Sequence, residues 1–487
     1  MAELYGRVLQ LACLVQGPEN EACVRYRAIR GDACTGLLAA LGRVAASPLL
    51  DIPAGADVQG SSTPAQEPGL RRERLGAYLI QVGREQGVLP LLAWALGEVQ
   101  QSLAPAPAGG AAAALPGSDT TSVPARELAA VRQQLSDQDG ADLAQRMAQL
   151  ALMVRCQQAL ATAGITSCVY KGVVLGELCY PRWDLRQAGQ DIDVLIRPEH
   201  LAGACAILAG LGFQVVRPLP VRSRAFAMTM VGEVMLSNGQ GAIIDLHWTL
   251  HMPYYRFGPP TAAVLDSSRL LSIGDTALTL RTLSGPETVL LVALHGAKEV
   301  WSQWRWLCDL ALLLTTTPPE QLREALALAR ARGCETLVLA AITLVEDLAH
   351  RAHASVRDGI RPATPPRATA LARRWREAAH GAVLASHVEL YRGSDQLGDR
   401  VRALTAQLRP WPADWQDLDL PSGWSWAYWL YRPWRLLGRS LGWRHETPLT
   451  APGAPAPSAA PAGTAGSTGP AALTDRPAPP GTPTPHH

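Results

Sequence analysis

Apolar positions recur with a helical period toward both ends of the chain and with a strand period in its middle. Leu75, Tyr78, Leu79, Val82, Leu89, Leu91, Leu92, Leu96 and Val99 form one face over residues 71–102, the three-and-four spacing of an amphipathic helix. Gly87 and Pro90 divide that stretch into two helices. Leu128, Val131, Leu135, Leu143, Met147, Leu150, Val154 and Leu160 carry the period through residues 126–163, and Gly164 supplies a C-cap. Shorter apolar stretches at 9–14 and 37–44 also read as helical. Beyond Gly164 the period changes. Residues 165–170 and 191–196 read as strands, separated by a short helix over 173–179 that Lys171-Gly172 opens. Residues 198–211 read as a helix stopped by Gly212, and 213–216 as a third strand. Residues 225–236 and 242–250, joined through Ser237-Asn238-Gly239-Gln240-Gly241, read as a hairpin. After Leu283 helices return at 286–314, 320–332, 335–349 and 363–386.

This pattern predicts an α+β protein: a mixed-sheet core flanked by N-terminal and C-terminal helical regions. The expected divisions are a helical region (1–103), a low-complexity linker (104–125), the α+β core (126–282), a helical domain (283–445) and a tail of Pro, Ala, Gly, Ser and Thr (446–487) expected to be disordered.

Composition narrows the classes. With 487 residues, 48% hydrophobic and 18% charged, the chain has the balance of a globular protein with real cores. Lys and Arg number 44 against 42 Asp and Glu, so no global basic field favours a polynucleotide partner. The nine cysteines are scattered without a CxxC pair, which suits reduced thiols rather than disulfides or a zinc site. The first residues lack the basic start of a signal peptide, and no apolar run reaches the roughly 18 residues of a spanning helix. A cytoplasmic location is expected.

Candidate chemistry gathers at Asp191-Ile192-Asp193, which opens a predicted strand. Side chains alternate along a strand, so Asp191 and Asp193 share a face. Adjacent carboxylates repel, and water or a hard divalent cation such as Mg²⁺ neutralises them. Asp245, in Ala-Ile-Ile-Asp-Leu-His-Trp (242–248), shares a strand face with Ile243 and His247. Three acids, two on one strand and one on a neighbour, are the minimal set for holding one or two Mg²⁺ against a triphosphate. Such ions neutralise phosphate oxygens, lower the pKa of an attacking hydroxyl and stabilise leaving pyrophosphate. The plainer alternative is an Asp-x-Asp edge that meets solvent. Lys171-Gly172, between strand and helix, combines close backbone approach, free helix N–H groups and a positive charge, a phosphate cradle; the alternative is an ordinary turn. His247 reads as a nucleotide or acceptor contact or as a hydrogen-bonded core histidine. His295, Lys298, Glu299, Ser302, Arg305 and Asp309 fall at helical spacing, a polar stripe able to face the acids or to meet solvent. The segment 424–444 mixes Trp424, Trp426, Tyr428, Trp429, Tyr431 and Trp434 with Arg432, Arg435, Arg439 and Arg444. It suits a peripheral membrane or protein contact, or packing against the helical domain with arginines outward.

Several of these elements occur together in one known family. Tyr170-Lys171-Gly172, Tyr180, Arg186, Asp191-Ile192-Asp193-Val194-Leu195-Ile196, Gly212-Phe213, Asp245-Leu246-His247-Trp248, and His295 with Trp304-Arg305-Trp306-Leu307-Cys308-Asp309 resemble the uncharacterised bacterial nucleotidyltransferase family. Its members often lie in gene clusters for lasso peptides and other secondary metabolites. Tyr431-Arg432-Pro433 and Trp434-Arg435-Leu436 resemble its C-terminal signature, so the likeness spans residues 71–441. It implies a polymerase-β-like core using an NTP and Mg²⁺, with Asp191, Asp193 and Asp245 as catalytic metal ligands. Lys171, Gly172, Arg186, His247, His295 and Arg305 are the implied nucleotide contacts; for Arg186 the alternative is an ion pair with Asp184 or Asp191. Where the superfamily usually places Gly-Ser shortly before the first acid, this chain has Lys171-Gly172 and a longer spacer containing Pro181 and Arg182.

The leading expectation is a Mg²⁺-dependent nucleotidyltransferase that moves AMP from ATP to a small molecule or peptide, with no nucleic-acid partner. The alternative is a non-catalytic nucleotide-binding or scaffold protein of a biosynthetic cluster with the same fold. A phosphotransferase ranks below both, because neither the G-x-x-x-x-G-K loop nor the H-x-D-x-x-x-x-N catalytic loop occurs.

Overall fold

The computed structural model describes residues 4–5, 7–8, 10–12, 37, 39–41, 43–44, 68–103, 125–348, 364–379 and 384–440, all within one compact unit, Met1–Thr447. The linker expected at 104–125 lies outside the described residues except for Ala125, which begins a helix, and the tail at 446–487 lies outside them. The paired helices expected at 71–102 are α1 (Pro68–Glu85) and α2 (Leu89–Leu103). Gly87 turns the chain between them at φ 69°, a conformation glycine adopts without steric cost. Helix α3 (Ala125–Thr162) leads into β1 (Ser167–Tyr170), α4 (Gly172–Cys179) and β2 (Asp191–Ile196). There follow α5 (Leu201–Gly210), β3 (Gln214–Val215), α6 (Arg224–Met230), β4 (Glu233–Ser237) and β5 (Ile243–His247).

These five strands form one mixed sheet in the order β1-β2-β5-β4-β3, with β2 and β5 parallel and the other pairs antiparallel. Period-two alternation sorts its side chains. Val169, Ile192, Val194, Ile196, Val234, Leu236, Ile244 and Leu246 occupy one face and share a core with Leu150, Met153 and Leu160 of α3 and Leu201, Ala204 and Leu208 of α5. On the other face Cys168, Tyr170 and Leu195 pack with Leu250, Leu265, Leu283 and Leu291. The rest of that face carries the acids. It is joined in sequence to the helical region by α7 (Thr261–Asp266) and the hairpin β6 (Arg269–Ser272) and β7 (Thr279–Thr282).

The helical region comprises α8 (Gly285–Lys298), α9 (Trp304–Thr316), α10 (Pro319–Ala331), α11 (Glu335–Leu348), α12 (Pro366–Ala379) and α13 (Ser386–Gly393). It shares one core with α1 and α2. Then come α14 (Leu397–Thr405), α15 (Pro412–Asp417) and α16 (Tyr428–Ser440).

Three sequence expectations differ from the fold. The single helix expected at 286–314 is two, broken where Val300 and Trp301 take φ 54° and 55°. Trp301, fully buried, folds back against α8 at Gly296, where a Cβ would lie 2.4 Å from its ring, and its ring centroid lies 6.0 Å from that of Trp375. Burying an indole offsets two left-handed residues. The polar stripe therefore divides, with His295 and Lys298 on α8 and Arg305 and Asp309 on α9. Residues 225–230, expected as strand, are helical: Ala227 is buried, and the ring of Phe226 stacks on that of Tyr428 at 5.8 Å. In the Trp-rich segment Arg435 turns inward and Trp424, Trp426 and Trp434 turn outward, while Trp429 is partly buried against the helical core. Arg435 donates to the fully buried Asp414 at 2.7 Å, while Trp424, Trp426 and Leu430 are exposed. Asp414 also accepts the Trp411 N–H at 2.7 Å, so its burial is supported by a charge partner and a backbone donor.

Candidate active site

The polar face of the sheet sets its acids in rows. Tyr170 stands opposite Asp193, Asp193 beside Asp245, and Glu233 opposite His247; Asp191, two residues from Asp193, shares that face. Asp193, Asp245 and His247 are buried, and Asp191 and Glu233 are half-buried. A chain of contacts crosses the face. Lys171 Nζ donates to Asp193 Oδ1 at 2.6 Å, His247 Nε2 meets the same oxygen at 3.1 Å, and His247 Nδ1 lies 2.9 Å from Glu233 Oε2. The Tyr170 ring lies 5.5 Å from that of His247.

Electrostatics follow from this crowding. Burial disfavours ionised Asp193, but the Lys171 ammonium and the His247 hydrogen bond outweigh it and hold the carboxyl below the usual range. Burial also disfavours protonated His247, yet Glu233 and Asp193 raise it to about 10, so it is a cation at neutral pH. Asp245 has no such partner. Burial, then Glu233, and more weakly Asp191 and Asp193 push it up to about 8 against the pull of His247, so near neutral pH this carboxyl is held mostly protonated for want of a cation of its own.

A second wall comes from the helical region. Half-buried His295 is held well below its usual range by burial and by Lys171, Lys298, Arg305 and Arg186, and its ring meets Trp306 edge-on at 5.4 Å. Arg305 is lowered by burial and Arg186 and raised by Asp309, Tyr180 and Asp191. Lys298 acts on His295 and on Glu233. The break between α8 and α9 thus sets His295, Lys298 and Arg305 around one neighbourhood facing the acids, although Arg305 lies on a different helix from the other two.

Arg186 is placed otherwise. Its Nε and Nη2 donate to Asp309 Oδ1 and Oδ2, both at 2.8 Å, and Tyr180 donates to Oδ1 at 2.9 Å. This fork-to-fork pair is buried and ties the loop before β2 to α9. The partner is neither Asp184, which binds Arg182, nor Asp191. Lys171 and Gly172 stand at the opening of α4 with φ 64° and 48°; Lys171, at ψ −160°, occupies a region that is otherwise glycine's.

Sequence reasoning missed Glu233, whose signal was its hairpin position opposite His247, and the burial of Tyr170. As donors, three carboxylates suit a hard divalent cation, and such an ion would displace the proton that Asp245 otherwise holds. Asp193, however, has Oδ1 engaged by Lys171 and His247, and among the described residues no group of three or more His, Cys, Asp or Glu is gathered to hold a metal ion. Among those residues, too, no helix is long and apolar enough to cross a membrane.

A family model described as "Uncharacterised nucleotidyltransferase" matches residues 77–350, more than half of the chain. No curated protein and no solved structure matches it. The matched span runs from α1 past the acid rows to the end of α11.

Proposed function

The chain belongs to this family of uncharacterised nucleotidyltransferases, and from that premise we propose that it transfers a nucleotidyl group, AMP from ATP, to a hydroxyl of a small molecule or peptide with Mg²⁺ as metal. The observation that supports this most is the row Asp191, Asp193 and Asp245 on one sheet face beneath the cations of α8 and α9. Asp191, Asp193 and Asp245 would hold the metal, which when bound neutralises triphosphate oxygens, acidifies the acceptor hydroxyl and stabilises leaving pyrophosphate. Lys171, Lys298 and Arg305 place positive charge toward the triphosphate, and His295, kept neutral by burial and by its cationic neighbours, offers a hydrogen bond rather than a charge. The acceptor oxygen attacks the α-phosphorus, the bond from that phosphorus to the bridging oxygen breaks, and pyrophosphate departs with the bonding pair. The hydroxyl proton passes to a carboxylate oxygen of Asp245. Localisation in the cytoplasm and a place in secondary-metabolite biosynthesis accord with the sequence reading.

The second reading, a nucleotide-binding protein without turnover, draws on one feature: Lys171 and His247 already neutralise Asp193. Purified protein with each NTP and Mg²⁺ separates the two. Transfer predicts pyrophosphate release that Asp191→Asn and Asp245→Asn abolish. Mg²⁺-dependent binding without release selects the second reading, and absence of nucleotide binding by the wild type rejects both.

A further inference from the structure

Arg305 is held by a turn that belongs neither to the sheet nor to its own helical pair. Helix α9 begins at Trp304 with no side-chain cap from Gln303, so its first N–H groups need acceptors from elsewhere. Gln86 supplies both: its carbonyl accepts from Arg305 N at 3.0 Å, and its Oε1 accepts from Trp304 N at 3.2 Å. The next residue, Gly87, lies under the Arg305 side chain. A Cβ there would stand 2.9 Å from Arg305 Cβ, 3.0 Å from Cδ and 3.2 Å from Nε, and φ is 69°. Arg305 Nε is buried without a hydrogen-bond partner, and Nη2 donates to Gln303 Oε1 at 3.0 Å. The other side of the turn is gripped by the loop that leads to the acids. Gln187, next to Arg186, donates to the Arg84 carbonyl at 3.2 Å and accepts the Leu89 N–H at 3.3 Å.

We propose that the α1–α2 turn, through Gln86 and Gly87, is the positioning element for Arg305 in nucleotide binding, which makes the N-terminal helical hairpin a working part of the site. The inference rests on the nucleotidyl-transfer reading above. A side chain at residue 87 must move the arginine stem, because the clash is with Cβ and Cδ rather than with a flexible tip. Removing the Gln86 side chain frees one amide at the start of α9 while leaving the Gly87 surface intact.

The test measures binding of the Mg²⁺ complex of a non-hydrolysable ATP analogue to the full chain by calorimetry, beside thermal midpoints. Arg305→Gln removes a charge-assisted contact and weakens binding about tenfold. Gly87→Ala weakens it by a similar factor, and the double variant is no weaker than the weaker single, as expected of residues acting through one contact. Gln86→Ala covers the case in which Gly87→Ala does not fold: it weakens binding about threefold and speeds hydrogen exchange at the Trp304 amide. A turn that is merely structural would lower the thermal midpoint and leave affinity alone. The inference is overturned if Arg305→Gln weakens binding while the turn variants stay within about twofold of wild type, or if the separate losses multiply. Failure of the wild type to bind the analogue removes the transfer reading, and this inference with it, a result distinct from the previous one.

Discussion

Replacing Arg186 by Met leaves the Asp309 carboxylate buried with the Tyr180 hydroxyl as its remaining hydrogen-bonding side chain among the described residues. Both charged groups are nearly inaccessible, at 7% and 1% relative exposure, and the guanidinium supplies two of the three hydrogen bonds that the carboxylate receives from side chains. Breaking a buried pair from one side costs about 3–5 kcal/mol, because the remaining charge keeps its desolvation penalty without its compensation. The retained tyrosine bond places the expected loss near about 3 kcal/mol. Removing the whole triad with Arg186→Met, Asp309→Leu and Tyr180→Phe leaves no orphaned charge or hydroxyl, so most of that loss should return. Equilibrium urea unfolding followed by tryptophan fluorescence measures both. A single variant that loses less than about 1 kcal/mol, or a triple variant no more stable than the single, would refute the view that this pair is a strut between the β2 loop and α9.

Gly296→Ala should destabilise the chain by at least the about 1–3 kcal/mol of an overpacked core, since its Cβ falls 2.4 Å from the Trp301 ring; an unchanged urea midpoint would show that α8 and α9 do not depend on that contact. His251 is pushed down to about 3 by burial and by Lys298 and Arg409, so between there and its unfolded value near 6.5 the unfolded chain binds the extra proton. Its contribution is complete above pH 6.5 and is lost as pH falls, about 2 kcal/mol by pH 5. Replacement by Phe should accordingly reduce the stability lost between pH 7.5 and 5.0 relative to wild type, and equal losses in the two proteins would contradict this.

What the sequence made legible was whatever depends on local period. Asp191 and Asp193 could be placed on one strand face because alternation is a property of the strand itself, and Asp245 with His247 followed by the same rule. The turn at Gly87 was readable from Gly87 and Pro90 together. The break at Val300 and Trp301 was not, because helical spacing continues through it and only the burial of Trp301 against Gly296 and Trp375 interrupts it. Arg186 was equally opaque: its partner, Asp309, is more than a hundred residues away on helix α9, and no local pattern distinguishes a buried strut from a phosphate ligand. The inward turn of Arg435 depended on Asp414, whose burial no composition reveals.

Lys171 accounts for the way the acid face is reconciled with folding. Its backbone lies in a region open in practice only to glycine, a cost of about 1–3 kcal/mol, and a Gly-Ser turn would avoid it. The lysine gains from that conformation a 2.6 Å contact with Asp193, which stands beside Asp245 and close to Asp191. Without a cation there, three neighbouring carboxylates would oppose formation of the β2–β5 pairing that carries the sheet. With Lys171 on one side of Asp193 and His247, itself paired with Glu233, on the other, two of the sheet's acids are neutralised by the fold, and Asp245 is left to a proton or a bound cation. Lys-Gly at this turn therefore holds the central acid ionised and oriented.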